Sequence, residues 1–106
     1  MRFDHIALRT DDVDASVVFY QSRFPDVEIL FQDETWAMID CSGIKIAFVS
    51  PDEHPEHIAY SVSSRDELLA EAAKSGATTR LHRDGSESFY LIDPAGNAVE
   101  VVFYSK

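Results

Sequence analysis

The chain has 106 residues, 45% of them apolar, enough for one domain that buries its own core without cross-links. A formal charge of −10 and a pI near 4.6 argue against nucleic acid or an anionic membrane surface as partner, since both need a basic face, and favour cations, divalent metals included. The single cysteine, Cys41, has no intrachain disulfide partner and reads as a structural thiol at a strand end. The N-terminus enters an alternating pattern at once, with no apolar run of signal or membrane-span length, so a soluble cytoplasmic protein is expected.

In chain order, Phe3 to Thr10 alternates as a strand, with His5, Ala7 and Arg9 on one face and Ile6 and Leu8 on the other. Thr10-Asp11-Asp12 offers N-cap residues for a helix whose apolar stripe is Val13, Val17, Tyr20 and Phe24, stopped by Pro25. Strands follow at about Val27 to Gln32, Thr35 to Asp40 and Ile44 to Val49, the last two parted by Gly43. The linker Pro51-Asp52-Glu53-His54-Pro55-Glu56 leads to a second strand-first segment, His57 to Val62. Ser64-Arg65-Asp66-Glu67 fits a capping box, with Leu68, Leu69, Ala72 and Ala73 as the buried stripe and Gly76 past the end. Three strands remain, about Thr78 to His82, Ser88 to Ile92 and Ala98 to Tyr104, with Asp93-Pro94-Ala95-Gly96-Asn97 as a turn. The pattern predicts an α+β domain of two tandem β-α-β-β-β modules, about residues 1–51 and 55–106.

The halves match in sequence. His5-Ile6-Ala7 returns fifty-two residues later as His57-Ile58-Ala59, and Met38-Ile39-Asp40-Cys41-Ser42-Gly43 parallels Leu91-Ile92-Asp93-Pro94-Ala95-Gly96 at an offset of fifty-three. Four residues beyond the paired glycines stand Ala47 and Glu100. The duplication therefore defines equivalent slots filled by His5, Ala47, His57 and Glu100. Two histidines and a carboxylate form a ligand set that leaves coordination positions open for substrate, so His5, His57 and Glu100 are the candidate metal ligands. Neutral imidazoles with a carboxylate suit Fe, Mn, Ni or Zn.

With this order, Asp4-His5-Ile6-Ala7, Glu56-His57-Ile58-Ala59 and the stretch Ser88-Phe89-Tyr90-Leu91-Ile92-Asp93-Pro94-Ala95-Gly96-Asn97-Ala98-Val99-Glu100, the chain resembles the vicinal oxygen chelate superfamily, which includes glyoxalase I, extradiol dioxygenases and bleomycin-resistance proteins. The resemblance covers essentially the whole chain. It implies a cup-shaped, mostly antiparallel eight-stranded sheet with helices on its outer face, one divalent metal held by His5, His57 and Glu100, and pairing into a homodimer. Glyoxalase I and the related epimerase carry a fourth ligand at the slot held here by Ala47, so the chain departs from them towards three-ligand branches.

The leading expectation is a metal-dependent lyase, dioxygenase or transferase acting on a small organic substrate through vicinal oxygens. Tyr90 is the nearest acid or hydrogen-bond donor, and Arg9 and Ala47 are candidate substrate contacts. A non-catalytic, drug-sequestering protein of bleomycin-resistance type is the alternative, favoured by the acidic charge; a fosfomycin-type thiol transferase is a third. His54 and His82 are expected to be exposed and outside the ligand set.

Overall fold

The doubled element order is realised in the computed structural model, which describes residues 1–105. It runs β1 (Arg2–Arg9), α1 (Val13–Arg23), β2 (Val27–Gln32), β3 (Trp36–Cys41), β4 (Ile44–Val49), β5 (His57–Ser61), α2 (Arg65–Ser75), β6 (Arg80–Leu81), β7 (Glu87–Ile92) and β8 (Ala98–Phe103). The chain divides into two compact units, His5–Glu56 and a second built from His57 onward together with Met1–Asp4. Within each compact unit four strands pair mostly antiparallel, with one parallel pair, and with two helices the fold is α+β. No helix among the described residues is long and apolar enough to cross a membrane.

In the first unit the strand order is β2-β3-β4-β1. β3 and β4 are joined tightly because Ser42 and Gly43 both take positive φ, 55° and 92°, the geometry a two-residue hairpin requires. The Asp40 carboxylate accepts from Gly43 N at 2.7 Å and fixes that turn. α1 starts where Asp12 accepts from Ala15 N at 3.0 Å. Its Val13 and Val17 pack on Ala37, Ile39 and Phe48, with Leu8 and Tyr20 against them. Phe24, expected as the last residue of that stripe, is instead the extended C-cap and 44% exposed. Pro25 excludes the helical conformation from the residue before it, so the helix ends at Arg23. Ala7, Ala47 and Val49 cluster separately with Met38.

The second unit has the order β5-β8-β7-β6. Ser64 caps α2 by accepting from Glu67 N at 3.1 Å. Glu67 returns its carboxylate to Ser63 N at 3.1 Å, one residue earlier than the usual capping box. Gly76 closes the helix at φ 67°. Leu68 and Ala72 are buried against Val62, Phe89 and Val101, whereas Leu69 and Ala73 are exposed. The expected stripe was twice too wide: residues 69 and 73 sit about 100° around the helix from their neighbours, and a single helix on this small sheet buries one line of contacts. β6 is also shorter than the span Thr78 to His82. His82 N donates to Ser86 O at 2.8 Å, and Gly85 N to His82 O at 3.0 Å, so the chain is already turning at His82. Tyr104 donates to Asp4 Oδ2 at 2.8 Å, and Phe3 meets Tyr60 edge-on at 5.7 Å, which ties the first residues of β1 to this unit.

One buried charge supports the second unit. Glu87, 5% exposed, accepts from Arg65 Nε at 2.7 Å and from the Thr79 hydroxyl at 2.6 Å. The Arg65 hydrogen bond, then that from Thr79, holds its carboxyl below the usual carboxylate range. A depressed carboxylate pKa means that the interaction stabilises fully above the unfolded-state value and fades as pH falls through the folded-state value. Glu87→Gln should therefore lower the melting temperature at pH 7, and the gap to the parent should narrow below about pH 4. Thermal melts of both proteins from pH 7 to pH 3 check this; a constant gap would rule out an electrostatic contribution.

Candidate functional site

Backbone register independently defines the equivalent slots. In the first unit β1 and β4 run parallel with Ala7 opposite Ala47, and in the second β5 and β8 run parallel with Ala59 opposite Glu100. Ala47 is thus the counterpart of Glu100. Across the antiparallel neighbour, Met38 faces Ala47 while Tyr90 faces Glu100. Tyr90, rather than the Leu91 that the sequence match set against Met38, consequently stands where the first half has Met38, and the additional residue of the second half lies in the turn after β7. That longer turn is organised by Asp93, which accepts from Ala95 N at 2.9 Å and Asn97 N at 2.8 Å. The Asn97 backbone bond is the chief cause of the lowered Asp93 pKa.

His57 opens β5 opposite Ala98, and Glu100 lies on β8 opposite Ala59. Each large polar side chain therefore faces an alanine, and the two lean towards each other over the space the methyl groups leave. His57 Nε2 and Glu100 Oε1 are 3.2 Å apart, with each residue only 7% exposed. The ring of Tyr90 stands edge-on to the His57 imidazole, 5.2 Å between centroids at 82°. Burial, then the Glu100 charge, pushes the Tyr90 hydroxyl well above its ordinary pKa, so it remains a proton donor throughout the neutral range.

His82 corrects the expectation of an exposed bystander. It is half-buried, its Nε2 lies 2.7 Å from the Ser88 hydroxyl and 3.9 Å from Glu100 Oε2. Sequence reading placed it at the end of a strand; the turn that starts at His82 brings it back towards β7. The available signal was the turn-forming Asp84-Gly85 within an unbroken polar run from His82 to Ser88, which marks a hairpin turn. His54 is likewise half-buried rather than exposed, its N donating to Ser50 O at 3.1 Å in the linker turn.

In the first unit His5 is 7% exposed on β1 and precedes the buried Ala7 on the same strand face. Arg9, at the far end of β1, is exposed on a cleft of about 510 Å³ whose walls include Thr10, Thr35 and Ser50 and the acids Asp11, Glu34 and Asp52. Ala47 is 3% exposed and packs with Ala7, Val49 and Met38, so the slot that carries a carboxylate in the second half is part of an apolar wall here. The donor set itself fits a divalent ion: buried imidazole and buried carboxylate are groups that are costly to desolvate without a partner of opposite character.

No curated protein matches the sequence. Solved structures of similar fold include a protein described as NAD-dependent benzaldehyde dehydrogenase from Legionella pneumophila, at 16% identity and a TM-score of 0.72 over 94% of this chain and 97% of that one. A glyoxalase/bleomycin resistance protein/dioxygenase superfamily member from Vibrio splendidus 12B01 matches at 14% identity and 0.66 over 95% and 97%. An extradiol ring-cleaving dioxygenase from B. fuscum matches at 16% and 0.72, with all of this chain covering 34% of that longer one. The glyoxalase-like domain model matches residues 5–102. With its duplicated β-α-β-β-β order and that match over nearly its whole length, the chain belongs to the glyoxalase-like domain family.

Proposed function

We propose that this chain is a divalent-metal-dependent enzyme acting on a small organic substrate through neighbouring oxygens, with His5, His57 and Glu100 as the metal ligands. The observation that carries the reading is the buried pair His57 and Glu100, with Nε2 and Oε1 3.2 Å apart, together with the buried His5 at the slot of the first half that matches His57. Two imidazoles and one carboxylate satisfy Fe, Mn, Ni or Zn and leave positions for substrate. An ion bound there would supply Lewis acidity towards adjacent substrate oxygens. Extradiol ring cleavage, the activity of the B. fuscum neighbour, is one reaction within this class.

The chain's own groups have separable tasks in this reading. Tyr90, kept protonated by burial and by Glu100, donates a hydrogen bond to an oxygen on which negative charge develops. Ala47 keeps a carboxylate out of the slot equivalent to Glu100, so that slot is left to substrate. Arg9 meets the remote end of a substrate, and the acids beside it on the cleft select against multiply charged anions. Protein folded from metal-replete medium should hold about one ion per chain by elemental analysis, and His57→Ala should lose it. Full occupancy in His57→Ala would sink the ligand assignment, while a metal-free parent that still binds small cationic drugs would favour sequestration.

Ala47→Glu tests the open slot. A carboxylate buried without a partner among Ala7, Val49 and Met38 should cost several kcal/mol, roughly 3–5, in the metal-free protein. Added Zn²⁺ should restore much of that melting temperature through a fourth protein ligand, and turnover should fall because one position is closed. A destabilisation that Zn²⁺ leaves untouched would exclude this placement of Ala47.

Two chains are further proposed to pair, since Phe19, Phe24, Leu30 and Phe31 of the first half all remain more than 40% exposed. Sedimentation at micromolar concentration should give twice the 11.9 kDa chain mass; the single-chain mass alone would refute pairing.

A further inference from the structure

We propose that His82 is a positioning residue for Glu100, holding the carboxylate so that Oε1 is offered to the metal while Oε2 is occupied by the imidazole edge. The inference rests on the metal-ligand reading of Glu100 given above and assigns a role to a histidine outside that ligand set. Its observations all lie within one unit. The two oxygens of Glu100 face different histidines: Oε1 is 3.2 Å from His57 Nε2, and Oε2 is 3.9 Å from His82 Nε2. At that distance the second approach is an electrostatic contact rather than a formed hydrogen bond, and it acts in surroundings where such contacts are poorly screened.

His82 is built into place. Its Nε2 is hydrogen-bonded to the hydroxyl of Ser88, a side chain only 1% exposed, at 2.7 Å. Ser88 pairs with Val102 on β8, two residues from Glu100, and lies on the same face of β7 as Tyr90, which pairs with Glu100 itself. The backbone of the hairpin is fixed as well. His82 N donates to Ser86 O at 2.8 Å, and Asp84 Oδ1 accepts from both Ser86 N at 2.9 Å and the Ser86 hydroxyl at 2.6 Å. A buried serine and a braced turn thus serve to present one imidazole beside the ligand carboxylate. Groups that orient a ligand from outside the coordination sphere contribute about ten- to a hundredfold in metal affinity.

The test uses Co²⁺ alone as probe, with affinity from chelator competition and the visible spectrum of the bound ion, on the whole chain and its variants. His82→Ala should bind Co²⁺ about ten- to a hundredfold more weakly, with an altered spectrum. Ser88→Ala, which frees His82 without removing it, should show a smaller loss. His82→Gln, which keeps a side-chain N–H at similar reach, should recover most of the affinity. If His82→Ala fails to fold, the Ser88→Ala and His82→Gln pair decides the matter. Unchanged affinity and spectrum in the variants, with the parent binding Co²⁺ and His57→Ala not, would overturn the positioning role alone. A parent that binds no Co²⁺ overturns both this inference and the ligand reading beneath it.

Discussion

A carboxylate and an imidazole buried side by side form the constraint around which the second half of this protein is arranged. Glu100 and His57 are each 7% exposed, and a charged carboxylate in such surroundings is costly to desolvate unless polar groups surround it. Several features of the sequence make sense only in that light. Alanines stand opposite both residues in the β5–β8 pairing and give them room to approach. Tyr90 braces the His57 ring from the neighbouring strand. His82, on a hairpin held by Asp84, Ser86 and Ser88, brings its Nε2 to 3.9 Å from Glu100 Oε2. Among the described residues, every buried side-chain nitrogen and oxygen has a hydrogen-bond partner, so the polar cluster is compatible with a stable core.

Duplication explains where this cluster sits, and divergence explains why it sits in only one half. The register pairs Ala7–Ala47 and Ala59–Glu100 occupy the same place in their units, as do Met38 and Tyr90. On the helix-facing side both halves bury a similar set: Val17, Ile39 and Phe48 in one, Leu68, Phe89 and Val101 in the other. That side is constrained by packing, where an apolar residue of similar volume suffices. The opposite face is free of the helices and could change chemistry without disturbing them.

Much of this was legible in the residues. Alternation, caps and the Gly43, Gly76 and Gly96 punctuation located all ten elements because those signals are local. The repeat singled out His5, His57 and Glu100 as candidate ligands because it compares positions directly, without needing distances. What escaped the sequence was long-range. Leu69 and Ala73 look as apolar as Leu68 and Ala72, and only the narrow contact of one helix on a small sheet leaves them in water. The approach of His82 to Glu100 depends on a turn that begins earlier than strand propensity suggests, and on a hydrogen bond to Ser88 whose partner is six residues away. Side chains that act through another residue leave no periodic trace.

The asymmetry between the halves has a chemical corollary. Where the second half presents Glu100, Tyr90 and His82, the first presents Ala47 and Met38, and Val49 extends that apolar surface. A wall of small and flexible apolar side chains adapts to a hydrocarbon skeleton, whereas the polar half fixes the position of oxygens. The net charge of −10 disfavours substrates with several negative charges. Within the proposed reading, the polar half favours a molecule whose oxygens are grouped together, and the acidic charge favours one without several negative charges.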